Sequence, residues 1–530
     1  MSVSRLYGRR ELLRLGGASA LGMLLAACGN GGLLGDQPKA PSQKDRAGTL
    51  RIAPGSGTAS PAGPAGLVYS TLVAFDPRRN RLSGDLARSA EVGDNLAITF
   101  KLRDNIRFHP DSKNLAAALT AQDVQHDFQE RSADREFLFA NVIDRVEAPD
   151  IETVVLRLRA PFNLLFDYLS DPLTASVRSQ TRYQAVNARL GSGPFVPTQR
   201  DASGLAMAAH PLFYRAHQPL LEGLLVADTP VDRDLDAAFV AGDLDVRVHP
   251  RDAQPGAAGT RAGATIAKRP SRRMRGLGLS LFPQKSGPAG GNVRFVAAFQ
   301  DVRVRRAISL TLDRAAIAKV DDGYLSGPIG PAHAGDALSE ADLLKHPLYQ
   351  RDVAEAKKLL DAAGKAGLEF GVEGPNTTTM RNIAQIVDLN LREAGLAPRV
   401  NLVPPDSWAP LFFAGDFEAA LFELEDLRTP DIGLRLHLTG GLTGNFSLWG
   451  YSDPVYDTAL RPVFTKLNPR ERGDEARKAQ MVLLDQVPAM FPLSAPPEYA
   501  SLAAEVRGYE FDAFEFNESR LSSLWRVTSD

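Results

Sequence analysis

Three arginines close together are the first residues in this sequence whose type and spacing could do chemistry. They lie in the stretch KRPSRRMRG, residues 268 to 276, as Arg272, Arg273 and Arg275. A guanidinium group binds a carboxylate or a phosphate through two parallel hydrogen bonds, so this cluster could hold an anionic ligand. The same run is also typical of a solvated loop, and the sequence leaves both interpretations open.

The other polar residues show no pattern typical of an enzyme. The eight histidines include no pair four residues apart and have no accompanying cysteines, so we predict no zinc site. The segment GSGPF, residues 191 to 195, lacks the lysine of a phosphate-binding loop and the spacing of a nucleophile elbow, and its glycines predict a turn. We therefore predict no catalytic residue, no metal and no cofactor.

Cys28 is the only cysteine of the chain, so no disulfide can form within it. It ends an apolar run that starts at Leu15 and is shorter than the roughly 20 residues of a membrane-spanning helix. A basic start, an apolar middle and small residues before a cleavage point are the parts of a secretory signal peptide. Because LAAC, ending at Cys28, resembles a bacterial lipobox, we predict removal of residues 1–27 and lipid attachment to Cys28. An uncleaved signal anchor and a buried cysteine are the alternatives.

The residues around this signal indicate an exported and tethered protein. GRRELLR, residues 8 to 14, resembles the twin-arginine export motif, which predicts export of the folded chain. Residues 28–47 have the Gly, Pro, Ser and charge content of a flexible tether. Two or more acyl chains, at about 0.8 kcal/mol per buried CH₂, hold a protein at a membrane stably. We therefore expect a lipid-anchored protein on the periplasmic or cell-surface face of the membrane.

The composition of the mature chain argues against a nucleic-acid partner. After removal of residues 1–27, 57 basic and 62 acidic residues remain, and no basic tract with interleaved aromatics is present. The mild negative charge would repel phosphate backbones. With about 500 residues, the mature chain has the length of two or three domains.

The periodicity of the apolar residues predicts an α/β protein, because strand-like and helix-like segments alternate. ITFKL, residues 98 to 102, has the alternation of a strand, and the turn at 104–105 predicts a hairpin with the segment that follows. Apolar residues at helical spacing predict helices over 352–364 and 381–395, each ending at a glycine.

Several motifs in a fixed order carry a family resemblance. They are FKLR at 100–103, LTAQDV at 119–124, GSGPF at 191–195, FVAGDLDV at 239–246, DVRVRRAISLTLDRAAI at 301–317 and YSDPVYD at 451–457. This ordered set, within residues 48 to about 515, resembles family 5 of the bacterial extracellular solute-binding proteins, the peptide/nickel receptors of ATP-driven importers.

The resemblance implies a two-lobed periplasmic-binding-protein fold with hinge-crossing strands and an extra small domain in the first lobe. Lobe I would consist of residues 48–67, 190–285 and 490–530. The extra domain would be 68–189, and lobe II would be 286–489. Closure of the two lobes around a ligand would be a hinge motion.

The resemblance also implies ligand-binding residues. Asp426 occupies the place of the acid that pairs with the ligand's amine in peptide-binding members, and a desolvated ammonium needs a charge-assisted acceptor. The family's Gly-Trp is replaced here by Glu423-Leu424 and its Asp-Pro by Thr429-Pro430, which leaves peptide specificity open. Asp426 could instead be a solvated loop carboxylate.

Two tryptophans are further candidates for the ligand site. Trp408 and Trp449 could stack on a ligand in the second lobe, although burial in a core is the common role of such residues.

The leading hypothesis is a lipid-anchored receptor for a peptide-like or other small polar solute, acting as a monomer with the permease of an ABC importer. The alternatives are a receptor for a non-peptide ligand of opine, sugar or sugar-phosphate type, or a sensor or chaperone on the same fold. A hydrolase has the least support, because no nucleophile with a base and an orienting group is recognisable.

Overall fold

The computed structural model describes most of the chain. The described residues are 34, 48–53, 65–76, 81–93, 96–110, 116–183, 188–227, 234–250, 253–256, 261–282, 296–426, 430–439, 448–511, 522 and 525–527. The predictions for the signal segment, for Cys28 and for Thr429 lie outside the described residues.

The strands of the described part follow in chain order. They are β1 (Thr49–Ala53), β2 (Val73–Asp76), β3 (Arg81–Gly84), β4 (Ala87–Val92), β5 (Ala97–Leu102), β6 (Ile143–Glu147), β7 (Thr153–Leu158), β8 (Phe195–Asp201), β9 (Gly204–Ala209), β10 (Gly223–Ala227), β11 (Val246–Val248), β12 (Thr265–Pro270), β13 (Arg273–Leu279), β14 (Tyr324–Leu325), β15 (Glu369–Pro375), β16 (Ala397–Val403), β17 (Ala419–Glu425), β18 (Met490–Ala495), β19 (Pro497–Leu502), β20 (Val506–Arg507) and β21 (Arg526–Val527).

The α-helices of the same residues are α1 (Ala65–Val68), α2 (Ala121–Ala133), α3 (Leu165–Leu169), α4 (Pro172–Ala175), α5 (Leu235–Ala241), α6 (Val302–Thr311), α7 (Arg314–Ala318), α8 (Glu340–Lys345), α9 (Val353–Ala362), α10 (Thr378–Glu393), α11 (Pro405–Ala414), α12 (Asp431–Arg435), α13 (Pro454–Thr465) and α14 (Pro469–Asp485). The two predicted helices are confirmed as α9 and α10, and Gly364 and Gly395 follow them with positive φ.

Two mixed sheets define two lobes. The sheet of the first lobe has the order β12-β19-β11-β1-β10-β9-β8, with β1 parallel to β10 and β11. The sheet of the second lobe has the order β14-β18-β13-β17-β15-β16, with β15 parallel to β16 and β17. Each lobe has its own apolar core, so each buries enough surface to pack independently of the other.

The segment predicted as the extra domain, residues 68–189, lies in the chain between β1 and β8, and we call it the inserted domain. Its four-stranded antiparallel sheet has the order β4-β5-β7-β6. The predicted strand is confirmed as β5, whose alternate residues Ile98, Phe100 and Leu102 are buried. The predicted hairpin is wrong, because the segment after the turn pairs with residues 117–119 and not with β5. An alternating pattern sets the buried face of a segment but not its partner.

The two lobes are joined by a pair of antiparallel strands that cross between the sheets. The chain passes from β12 to β13 and returns from β18 to β19, and the Ser271 N–H donates to the Pro496 carbonyl at 2.9 Å. The boundaries predicted at 285/286 and 489/490 place β13 and β18 in lobe I, whereas both strands pair in the sheet of the second lobe. Proline occurs at both crossings, at Pro270 and at Pro496-Pro497, which is typical of a break between strands, but only the pairing of the strands shows that the chain changes sheets there.

Candidate functional site

The candidate residues at 272–275 and at 426 meet where the crossing strands enter the second lobe. β13 runs antiparallel to β17, so the first residue of β13, Arg273, lies opposite the last residue of β17, Glu425. The next residue, Asp426, continues the ladder, because its N–H donates to the Arg272 carbonyl at 2.9 Å. In open α/β sheets, ligands bind outside the carboxyl ends of parallel strands, and β15 and β17 both end at this edge. We call it the hinge edge.

The arginines at the hinge edge hold carboxylates of the same chain. Glu423 bridges two of them, accepting from Arg273 Nη1 at 3.0 Å and from Arg275 Nε at 2.8 Å. Arg275 Nη1 also donates to Asp321 at 2.7 Å, and the Arg275 side chain is only 2% exposed. An external anion would therefore have to displace an internal carboxylate before it could bind them.

Arg272 lies at the start of this row and is partly exposed. Its Nη2 donates to Glu425 Oε1 at 2.9 Å, with about a quarter of the arginine side chain and a third of the glutamate side chain exposed. A half-exposed pair of this kind contributes about 0–1 kcal/mol. Of the three arginines, Arg272 is thus the one from which a ligand displaces the bound carboxylate, Glu425, at the lowest cost in free energy.

Asp426 is buried at the same edge in a different environment. It is 7% exposed, and its Oδ2 accepts from the Gly433 N–H at 3.4 Å and lies 3.7 Å from His333 Nε2. Burial, together with the charges of Arg272 and Arg472, lowers the pKa of His333 to about 3. The imidazole beside the acid is therefore neutral at physiological pH.

The two tryptophans lie in the core of the second lobe. Trp449 is fully buried, and a Cβ added at Gly278 would come within 2.0 Å of its ring, so the glycine leaves the space that the indole fills. Trp408 is 6% exposed and packs on Phe412 at a ring-centroid distance of 5.6 Å. Both indoles therefore stabilise the lobe, and neither presents a face for stacking on a ligand.

Sequence reasoning missed part of the hinge edge. Glu423 and Glu425 alternate along β17 opposite Arg273 and Arg275, and this acid-x-acid pattern against a cation-x-cation pattern is a cross-strand signal that the sequence does contain. His333, in the helical turn Pro331–His333, gives no comparable signal because its place beside Asp426 depends on the packing of a connecting segment.

In the part of the chain that the structure describes, no group of three or more His, Cys, Asp or Glu side chains could hold a metal ion. None of the helices within those residues combines the length and the apolar character needed to cross a membrane.

Two lobes joined by crossing strands, with charged groups at the junction, define a solute-binding receptor. Residues 81–434 match the family described as bacterial extracellular solute-binding proteins, family 5 Middle. The chain belongs to this family, whose members are substrate-binding receptors of ABC importers and not enzymes. The predictions of the family, of the two-lobed fold and of a receptor without catalytic activity are confirmed.

Individual proteins show the same similarity. The chain is 24% identical over 489 residues to a probable di/tripeptide-binding protein 5 of Pseudomonas aeruginosa, covering 85% of this chain and 88% of the relative. HbpA2 from Haemophilus parasuis has a TM-score of 0.74 at 19% identity and covers 91% of this chain and 100% of its own. The unliganded open form of the periplasmic murein tripeptide-binding protein MppA has a TM-score of 0.71 at 18% identity, with 92% and 99% covered. At these identities the solved structures support the fold alone.

Proposed function

We propose that this protein is a lipid-anchored receptor that captures a short peptide between its lobes and delivers it to the permease of an ABC importer. The peptide class is supported by the name of one similar protein, the probable di/tripeptide-binding protein of Pseudomonas aeruginosa. The lobes close over the peptide by bending at the crossing strands.

The observation that carries the proposal is the position of Asp426. A carboxylate that is 7% exposed lies at the carboxyl end of β17, next to the strands that join the lobes. A buried ammonium needs a charge-assisted acceptor, and a carboxylate provides one. Asp426 binds the α-ammonium of the peptide. Arg272 is the candidate for its carboxylate, because Arg273 and Arg275 share a buried glutamate.

Ligand class is tested by capture from a defined mixture. The mature protein is incubated with a synthetic library of di- and tripeptides, each in a free-amine and an N-acetylated form, and native mass spectrometry identifies what is bound. We expect only free-amine peptides to be retained, unchanged in mass. Retention of the acetylated forms, retention of no peptide, or chemical conversion of the bound peptide would each contradict the proposal.

The role of Asp426 is tested by titrating the best-retained peptide into Asp426→Asn. Removing one partner of a buried ion pair costs about 3–5 kcal/mol, which is a loss of affinity of roughly a hundredfold to a few thousandfold. Glu393→Gln is the control, because it removes an exposed acid of the same lobe that pairs with Arg351 and takes no part in the hinge edge, so it should change affinity by less than about tenfold. If Asp426→Asn also changes affinity less than tenfold at an unchanged melting temperature, Asp426 does not bind the ligand.

Lipid attachment is a separate part of the proposal. Cys28→Ser should give a protein that is either soluble or retained as an uncleaved precursor, with no lipid found by mass spectrometry of the N-terminal peptide. A variant that is membrane-bound and processed at the normal site would refute the anchor. The peptide-binding part of the proposal is unaffected by that result.

A further inference from the structure

A buried arginine joins the inserted domain to the second lobe. Arg472 lies in the first turn of α14 and is 1% exposed. Its Nε and Nη2 donate to the two oxygens of Asp336 in the second lobe, both at 3.3 Å. Its Nη1 donates to Asp167, in α3 of the inserted domain. Both aspartate side chains are 3% exposed, so all three charges are withdrawn from water.

The Asp167–Arg472–Asp336 triad lies within a wider contact. Leu467, which precedes α14, packs into the apolar core of the inserted domain, and the guanidinium of Arg472 lies 5.9 Å from the ring of Phe75 in β2. Burial by itself lowers the pKa of Arg472, but the two aspartates raise it above its usual value, so the arginine stays charged. The inserted domain therefore contacts the second lobe through one buried cation, which is paired with two aspartates, and through the apolar residues around it.

The inserted domain also contacts the first lobe through buried polar groups. Both of its chain ends continue into that lobe. The Tyr214 hydroxyl and the Arg215 guanidinium of the first lobe donate to Asp85 of the inserted domain. His109 Nε2 donates to the Gly193 carbonyl at 2.8 Å. Because these contacts are buried and lie beside both chain connections, the inserted domain moves together with the first lobe.

We propose that the pair Asp167 and Arg472 is a latch that holds the lobes together in the absence of ligand. The inference rests on closure at the crossing strands, as described under the proposed function. When the first lobe and the inserted domain rotate away from the second lobe, Asp167 separates from Arg472, whereas Asp336 remains with Arg472 in the second lobe. The latch therefore opens with the lobes.

The latch is connected to the candidate ligand site by a short segment. The Asp336 N–H donates to the His333 carbonyl at 2.8 Å, and His333 lies beside Asp426. Gln480 of α14 holds both ends of this segment, because its side chain accepts from the Ile329 N–H and donates to the Asp336 carbonyl. A ligand bound at Asp426 and the latch thus act on the same segment of the second lobe.

The latch is tested by measuring the separation of the lobes without ligand. Because Cys28 is the only cysteine, a Cys28→Ser background with Ile151→Cys and Leu389→Cys has two thiols for spin labels, on an exposed residue of the inserted domain and on one of the second lobe. Pulsed electron resonance then gives the distribution of label distances. Asp167→Asn removes the charge on one side of the latch and leaves the Asp336–Arg472 pair in place.

The matched control is Asp127→Asn. Asp127 is also 1% exposed and paired with arginine, at 3.1 Å from Arg178, but the whole pair lies within the inserted domain. Hydrogen bonds to charged groups contribute enough free energy to shift an equilibrium by roughly tenfold to a hundredfold. We expect Asp167→Asn to shift the ratio of long to short distances by at least about tenfold, and Asp127→Asn to leave the distribution unchanged.

Three results would overturn the latch. They are an unchanged distribution in Asp167→Asn, an equal shift in both variants, and an unliganded parent protein that is already fully open. Melting temperatures of both variants show whether the fold is intact. Because no ligand is present, failure of the latch leaves the peptide and Asp426 proposals standing, and failure of those proposals leaves the distance measurement valid.

Discussion

The inserted domain meets the two lobes through contacts of different kinds. Its junction with the first lobe combines an ion pair, Arg215 with Asp85, and a neutral hydrogen bond in which His109 Nε2 donates to the Gly193 carbonyl at 2.8 Å. The Tyr183 hydroxyl accepts from the Gly191 N–H and donates to His109 Nδ1. The junction with the second lobe depends on the single cation Arg472 between two acids.

This difference indicates which junction is permanent. Breaking one neutral hydrogen bond in a buried site leaves its polar groups unsatisfied, which costs free energy. At the first-lobe junction these bonds lie around a turn that is covalently connected to the inserted domain. A buried charge pair has a large desolvation penalty, and that penalty is recovered when the partners separate into water. The first-lobe junction shares its contacts among an ion pair and several neutral hydrogen bonds beside both chain connections, whereas the second-lobe junction depends on one cation and is broken when that single pair separates.

The largest expected effect is at the second-lobe junction. Arg472→Leu removes the cation and leaves Asp167 and Asp336 buried together, so we expect the free energy of unfolding to fall by about 3–5 kcal/mol. Urea denaturation measures this loss. Adding Asp167→Asn and Asp336→Asn to Arg472→Leu should restore most of the stability, because no buried charge then lacks a partner. A loss below about 1 kcal/mol in the single variant would mean that this junction is solvated.

A smaller loss of folding stability is expected when the pH is lowered, because of His109 at the first-lobe junction. Burial, with a contribution from His210, lowers the pKa of His109 to about 3 in the folded protein. Between that value and the ordinary value of about 6.5, the unfolded chain binds a proton that the folded chain does not, so stability falls as the pH decreases through this range. The contribution of His109 is complete above about pH 7, and about 2 kcal/mol of it is lost at pH 5.

The measurement is the free energy of unfolding against pH for the parent protein and for His109→Gln. His333 and His437 also have their pKa values lowered to about 3 by burial, so only the difference between the two curves belongs to His109. We expect His109→Gln to have a shallower slope between pH 7 and pH 5. Parallel curves for the two proteins would contradict the buried neutral state of His109.

The smallest effect is expected from Tyr214→Phe. The hydroxyl donates to Asp85 and is in hydrogen-bond contact with Ser70, and its burial raises the pKa of Tyr214 above the usual value. Arg215 continues to hold Asp85 in the variant, so we expect a loss of about 1 kcal/mol in urea denaturation. A loss as large as that of Arg472→Leu would remove the distinction between a shared neutral network and a single essential cation.

The sequence by itself determined the elements and the family. The alternation over 98–102 and the helical spacing over 352–364 and 381–395 are local patterns, and the burial of one face follows from them directly. The ordered motifs identified the two-lobed receptor fold, which the match over residues 81–434 confirms. Local free energies decide the strand and the two helices, so a single sequence is enough to predict them, whereas the family was predicted from the resemblance of the ordered motifs.

Only the tertiary structure decided which charges meet and where the lobes join. Arg275 and Glu423 are 148 residues apart in the chain, and Arg472 and Asp167 are 305 apart. The alternating arginines of β13 and acids of β17 are visible in the sequence, but neither pattern names its partner, because the free energy of the pair depends on two distant segments being brought into one desolvated site. The lobe boundaries, predicted at 285/286 and 489/490, differ from the crossing at Ser271 because the partner strands alone determine where one lobe ends and the next begins.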